Sequence, residues 1–161
     1  MTVKMQGIAR IALVVFSWST LIFFGKNNMK RFFPATLVLV LFEIINGMIG
    51  KKRKWWFFYN KPHSHLFGEF PFYIGPFLTN SLWILKCTYG NFKKFILTNA
   101  AIDFLFTFPL IKLFGKVKYI SLKKLNHFQF FLYYFYKAFL LYGIQYLFEK
   151  NYALKDGKNN H

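Results

Sequence analysis

An all-α bundle of about five transmembrane helices is the architecture expected of this 161-residue chain. Three observations point there. Five apolar runs, each near the length needed to cross a bilayer, alternate with short basic loops. Charged residues make up only 17% of the chain, against about 25% in a soluble domain, and most of them lie between those runs. Of those that fall inside, Glu43, Asp103 and Lys137 lie away from the ends of three different runs. Such groups are costly at membrane depth and are usually paired or functional.

The first span is expected over residues 7–25. IALVVFSWSTLIFFG follows Lys4 and Arg10 as in a signal sequence, but GKNNMKRFF comes next and offers no small-residue cleavage site. It is therefore read as a retained span, with Arg10 snorkelling to the interface. KNNMKR makes a short turn into the second span, residues 32–49, with Pro34 in its first turn, where a missing N–H does no harm. The cluster Lys51, Lys52, Arg53 and Lys54 stops that span, and Trp55 and Trp56 follow; cations beside paired tryptophans make an interfacial anchor. The third span, residues 69–85, carries Pro71, Gly75 and Pro76 and is expected to be kinked or partly re-entrant. Spans four and five are expected over residues 95–113 and 125–148, with a short, frayed polar tail at 149–161.

The runs are about twice as long as a barrel strand needs and show no alternation, so helices are expected and a transmembrane barrel is not. A single transmembrane domain over residues 1–161 suffices. If all five spans cross, the side holding the N-terminus receives 12 of the 22 Lys and Arg residues and the other side receives 9, Lys137 being the remainder. The N-terminus is therefore expected on the cytoplasmic side; a re-entrant third span would return the C-terminus there as well. The net charge of +17 comes from residues that flank spans. That favours a bilayer with anionic headgroups as partner over nucleic acid.

The polar positions inside the spans are the candidate site. Glu43 and Asn46 are three apart and share a helix face; Asn99 and Asp103 are four apart and do the same. Asn80 lies in the third span and Lys137 in the fifth. Two readings stand side by side. In one, Lys137 neutralises Asp103 or Glu43 and the asparagines tie helices together. In the other, a carboxylate takes and releases a proton or cation.

Other chemistry has less support. His63, His65 and Glu69 form H-x-H-x-x-x-E, whose side chains are plausible zinc ligands, but the spacing has no helical or strand frame, and no metal or other cofactor is expected. No phosphate loop, G-x-S-x-G or H-E-x-x-H is present. An enzyme is not expected, an intramembrane acid or base at Glu43 or Asp103 being the one form such chemistry could take. Cys87 is the only cysteine, which excludes an intrachain disulfide. The stripe YYFYKAF in the fifth span is expected to serve packing and lipid contact.

The segments MKRFFPATLVLVLFEIINGMIGKKRKWWFFY and IGPFLTNSLWILKCTYG resemble small uncharacterised multi-span membrane proteins of low-GC Gram-positive, spore-forming bacteria. Arg31, Phe32, Phe33 and Pro34, the Trp55–Trp56 pair, and Gly75, Pro76 and Phe77 with Trp83 carry the likeness. The resemblance implies a multi-pass protein of the bacterial plasma membrane and brings no activity with it. The expected role is thus a non-enzymatic accessory or structural membrane component, acting through partner helices, a homo-oligomer or lipids. The alternative is a small oligomeric transporter or channel subunit using Glu43 and Asp103.

Overall fold

The computed structural model describes residues 3–58, 69–116 and 120–158. They form five helices and one short two-stranded ribbon, an all-helical fold. Helix α1 is Val3–Thr20, tightened into a 3₁₀ turn at Leu21–Phe23. Helix α2 is Lys26–Lys52. Helix α3 spans residues 70–88: Phe70–Phe72, a π turn at Tyr73–Phe77, then Leu78–Thr88. Helix α4 is Phe92–Lys116, with a π turn at Phe106–Leu110 around Pro109. Helix α5 is His127–Lys158. Strands β1, Trp56–Phe58, and β2, Ile120–Leu122, pair antiparallel, Trp56 opposite Leu122.

Four helices close a ring: α2 packs on α3, α3 on α4, α4 on α5 and α5 on α2. Helix α1 lies outside that ring against α3. The main apolar core runs through the ring, around Phe24, Leu39, Leu82, Leu85, Phe95 and Leu141. A second cluster of Trp56, Ile111, Ile120 and Phe130 sits under the ribbon at one end.

Local sequence explains most of the ends. Gly25 has φ 89° and Gly90 has φ 96°, left-handed values that favour glycine, and each marks a helix-to-helix turn. Asn91 caps α4 by accepting from the Lys94 N–H at 3.1 Å. At the start of α5 the Gln129 side chain accepts the Asn126 N–H at 3.0 Å. The kink in α3 falls at Gly75, whose backbone leaves the helical region just before Pro76, since a residue before proline is disfavoured there. Two donors serve the carbonyls around the break: Thr79 Oγ1 donates to Gly75 O at 3.0 Å and Trp18 Nε1 to Ile74 O at 2.8 Å. A side chain at Gly75 would press on Leu13 and Val14, so α1 docks where α3 bends.

Several expectations are corrected. Pro34 lies inside α2 and not in its first turn, because Lys26–Arg31 are already helical and the turn shrinks to the residues around Gly25. The donor that Pro34 lacks falls opposite the carbonyl of Lys30, an exposed residue near the helix end. The tail is not frayed from residue 149, since α5 continues to Lys158. The ribbon was not expected. Its strands are only three residues long and lie 64 positions apart, too short to carry a periodic signal.

Among the described residues, only α2 and α4 are long and apolar enough to cross a membrane, and the apolar helix at Gly7–Phe23 is shorter. Five spans are therefore not established by length and hydropathy. A break at Gly75 interrupts α3, and the tyrosines, Lys137 and Gln145 make α5 more polar.

Candidate functional site

The polar residues of the spans meet in the middle of the ring. Glu43 on α2 is fully buried and Lys137 on α5 is 2% exposed. Lys137 Nζ forms an ion pair with Glu43 Oε2. Tyr133 Oη donates to the other carboxylate oxygen, Glu43 Oε1, at 3.3 Å. The ammonium also faces two rings, 3.5 Å from the Tyr133 centroid and 4.2 Å from that of Tyr134. Ring quadrupoles attract a cation at this range, by up to about 2 kcal/mol when water is excluded. The stripe YYFYKAF thus does more than pack, since helical spacing sets Tyr133 one turn before Lys137 and Tyr134 three residues before it.

Asp103, on α4, is not part of this pair. It is half-buried and, among the described residues, makes no hydrogen bond and no ion pair. It lines a cavity of about 100 Å³ bounded by α3, α4 and α5, together with Asn80, Ser81, Asn99, Tyr134 and Lys137. The asparagines behave differently from one another. Asn46 Nδ2 donates across to Tyr136 Oη on α5 at 3.0 Å. Asn99, buried, donates to Phe95 O of its own helix at 2.8 Å. Asn80 is exposed and makes no hydrogen bond among the described residues. Of the three amides, Asn46 bonds across to another helix, whereas Asn99 bonds within its own helix and Asn80 bonds to neither among the described residues.

A second polar cluster was missed. Glu69, 8% exposed, accepts from Trp56 Nε1 at 2.6 Å and from Tyr73 Oη at 2.7 Å. These bonds tie the segment after α2 to the start of α3. The cluster sits tight against α2: a Cβ on Gly47 would overlap the Tyr73 hydroxyl, and one on Gly50 would overlap the Trp56 ring. The sequence groups Trp56 with Lys51, Lys52, Arg53, Lys54 and Trp55 as an interfacial anchor. Its side chain instead points inward and is 6% exposed, while Lys52, Arg53 and Lys54 stay exposed. The two glycines within the helical turn before the basic stop, Gly47 and Gly50, followed by Trp56, are the available signal for this contact. His63 and His65 lie outside the described residues, so the H-x-H-x-x-x-E pattern is seen only at Glu69, whose two oxygens are engaged. Among the described residues no group of three His, Cys, Asp or Glu side chains converges to hold a metal.

At the opposite end, Arg31 and Glu149 form a two-pronged ion pair, Nε to Oε1 at 2.6 Å and Nη2 to Oε2 at 3.1 Å. Gln145 Nε2 adds a bond to Glu149 Oε1 at 3.0 Å. The hydrogen bonds from Arg31 hold the Glu149 carboxyl below the ordinary glutamate range. Lys86 Nζ closes the same end, donating to Phe24 O at 2.9 Å. Cys87, nearby, is exposed.

Among the described residues the arrangement holds one closed ion pair, one carboxylate on a small cavity and no grouped nucleophile and base. Comparison with protein families, with curated proteins and with solved structures finds no match.

Proposed function

We propose that the chain is a multi-pass protein of the bacterial plasma membrane, non-enzymatic, that works through partner helices or anionic lipids. The observation that carries this reading is the inverted distribution of polarity. Thr36, Glu43, Thr107, Lys137 and Gln145 are at most 2% exposed, whereas Ile11, Phe16, Ile22, Leu97 and Phe128 are more than 60% exposed on the outside. In water such a surface would be an aggregation liability; in hydrocarbon it is the expected outer face. Basic residues collect at the two ends, with Lys51–Lys54 and Lys123–Lys124 at one and Lys26, Lys30, Lys86, Lys93 and Lys94 at the other. That pattern suits headgroups on both sides. The helices run alternately between these ends, α3 included, which supports five crossings; the 12-to-9 distribution of Lys and Arg is what favours the N-terminus on the cytoplasmic side.

Cysteine accessibility tests the placement. In a Cys87→Ser background, single cysteines replace Lys52 and Lys150. Position 52 should be blocked to an impermeant thiol reagent in intact cells and position 150 should react. Reaction at 52 overturns the orientation; blockage at both overturns the five crossings.

A second reading, a small oligomeric transporter or channel subunit, is favoured by one observation: Asp103 borders a cavity without a cationic partner of its own. Glu43 fits that reading less well, because Lys137 occupies it.

A further inference from the structure

The middle of the bundle holds two carboxylates, Glu43 and Asp103, and one ammonium; the other buried acid, Glu69, stands by the ribbon with both oxygens accepting hydrogen bonds. Glu43 and Lys137 cancel each other. Lys137 is also held by the faces of Tyr133 and Tyr134, so its cation is committed on several sides. Asp103 is left as the excess charge. It stands in the middle of α4, on a cavity large enough for a few waters. The groups around it come from every neighbouring helix. Helix α3 offers Asn80 and Ser81, with the Tyr73 hydroxyl further along and already donating to Glu69. Helix α5 offers Tyr134 and Lys137, and α2 contributes Leu39 to the wall, with Glu43 behind Lys137. None of these is a second cation. A negative charge in hydrocarbon without a counter-charge is disfavoured, and uptake of one proton removes it.

We propose that Asp103 is a proton-binding site, loaded and unloaded through the cavity between α3, α4 and α5. In loading, a carboxylate oxygen of Asp103 forms an O–H bond with a proton delivered by cavity water. In unloading, the same bond breaks and the proton returns to water. Lys137 borders the same cavity, so an ionised Asp103 pulls on the ammonium that ties α5 to α2. Proton occupancy is thereby linked to helix packing. The inference rests on the membrane placement proposed above.

A hydrophobic carbodiimide tests it, because only the protonated acid reacts. The carboxyl proton passes to a carbodiimide nitrogen and the carboxyl oxygen bonds to the central carbon. In the O-acylisourea so formed the acyl group then shifts from oxygen to nitrogen, breaking its bond to that oxygen, and the stable N-acylurea is found by peptide mass spectrometry. The probe is dicyclohexylcarbodiimide applied to the full chain in phospholipid vesicles. Asp103 should carry the adduct, with the yield falling several-fold as the medium is made alkaline, while Glu43 and Glu69 stay unmodified. Asp103→Asn should abolish labelling; the parent chain gives the site and the pH dependence even if that variant folds poorly. Absence of the adduct at every pH in folded protein would overturn the proposal, as would labelling at Glu43 in its place. Protection by sodium at constant pH would also overturn it, by showing a metal cation where the proton is placed. A misplaced topology would appear in the cysteine experiment and leave the carbodiimide result standing, so the two failures are distinguishable.

Discussion

Replacing Lys137 with methionine removes one member of a buried ion pair. The side chains of Lys137 and Glu43 are 2% and 1% exposed, so neither finds water when the other is lost. In Lys137→Met, Glu43 retains only the Tyr133 hydroxyl at 3.3 Å, and the rings of Tyr133 and Tyr134 lose their cation. Breaking a buried pair in this way typically costs about 3–5 kcal/mol, about two to three and a half powers of ten in the folding equilibrium. The second substitution Glu43→Gln, added to Lys137→Met, removes the stranded charge and should recover more than half of the loss. Asp103→Asn, added instead, should recover little, because Asp103 is not in the pair. The assay is reversible unfolding in mixed micelles, followed by tyrosine and tryptophan fluorescence, on the parent, the single variants and the two doubles. A Lys137→Met variant within about 1 kcal/mol of the parent would refute the sealed-pair argument, since that is the range of an exposed pair. Full rescue by Asp103→Asn would assign the pair to the wrong carboxylate.

Gly47→Ala should destabilise by about 1–3 kcal/mol, the usual cost of overpacking, because its Cβ overlaps the Tyr73 hydroxyl; Tyr73→Phe in the same chain should relieve part of the overlap, read by the same unfolding assay. Trp56→Phe should cost about 1–3 kcal/mol by leaving Glu69 Oε1 without its donor, and protease sensitivity after α2 should rise. Glu149 sits below the ordinary glutamate range because Arg31 donates to it. Its contribution is therefore full above that range and is lost as pH falls through the lower folded value. The pair is partly exposed, so the step should stay under about 1 kcal/mol, and Arg31→Gln should remove it from an unfolding series run towards acid. Changing Lys51, Lys52, Arg53 and Lys54 to glutamine should scramble orientation in the cysteine assay without any change in nucleic-acid retention.

What the sequence determined by itself is the set of properties that depend on neighbours along the chain. Apolar runs long enough for helices, the basic stop at Lys51–Lys54, the break at Gly75–Pro76 and the presence of charge within spans are all read locally. So is the pairing of Asn99 with Asp103 on one helix face, because a helix repeats every 3.6 residues. Tertiary structure decided which charges meet. Both Glu43 and Asp103 were open to Lys137, and only the rotation of α2, α4 and α5 about their axes selects Glu43 and leaves Asp103 on the cavity. It also turned Trp56 inward to Glu69 across 13 residues, where composition alone suggested an interfacial ring, and joined β1 to β2 through strands too short to show a pattern. Chain periodicity sets which face a residue occupies. Which partner stands opposite that face depends on helix packing, and that is a property of the assembled bundle.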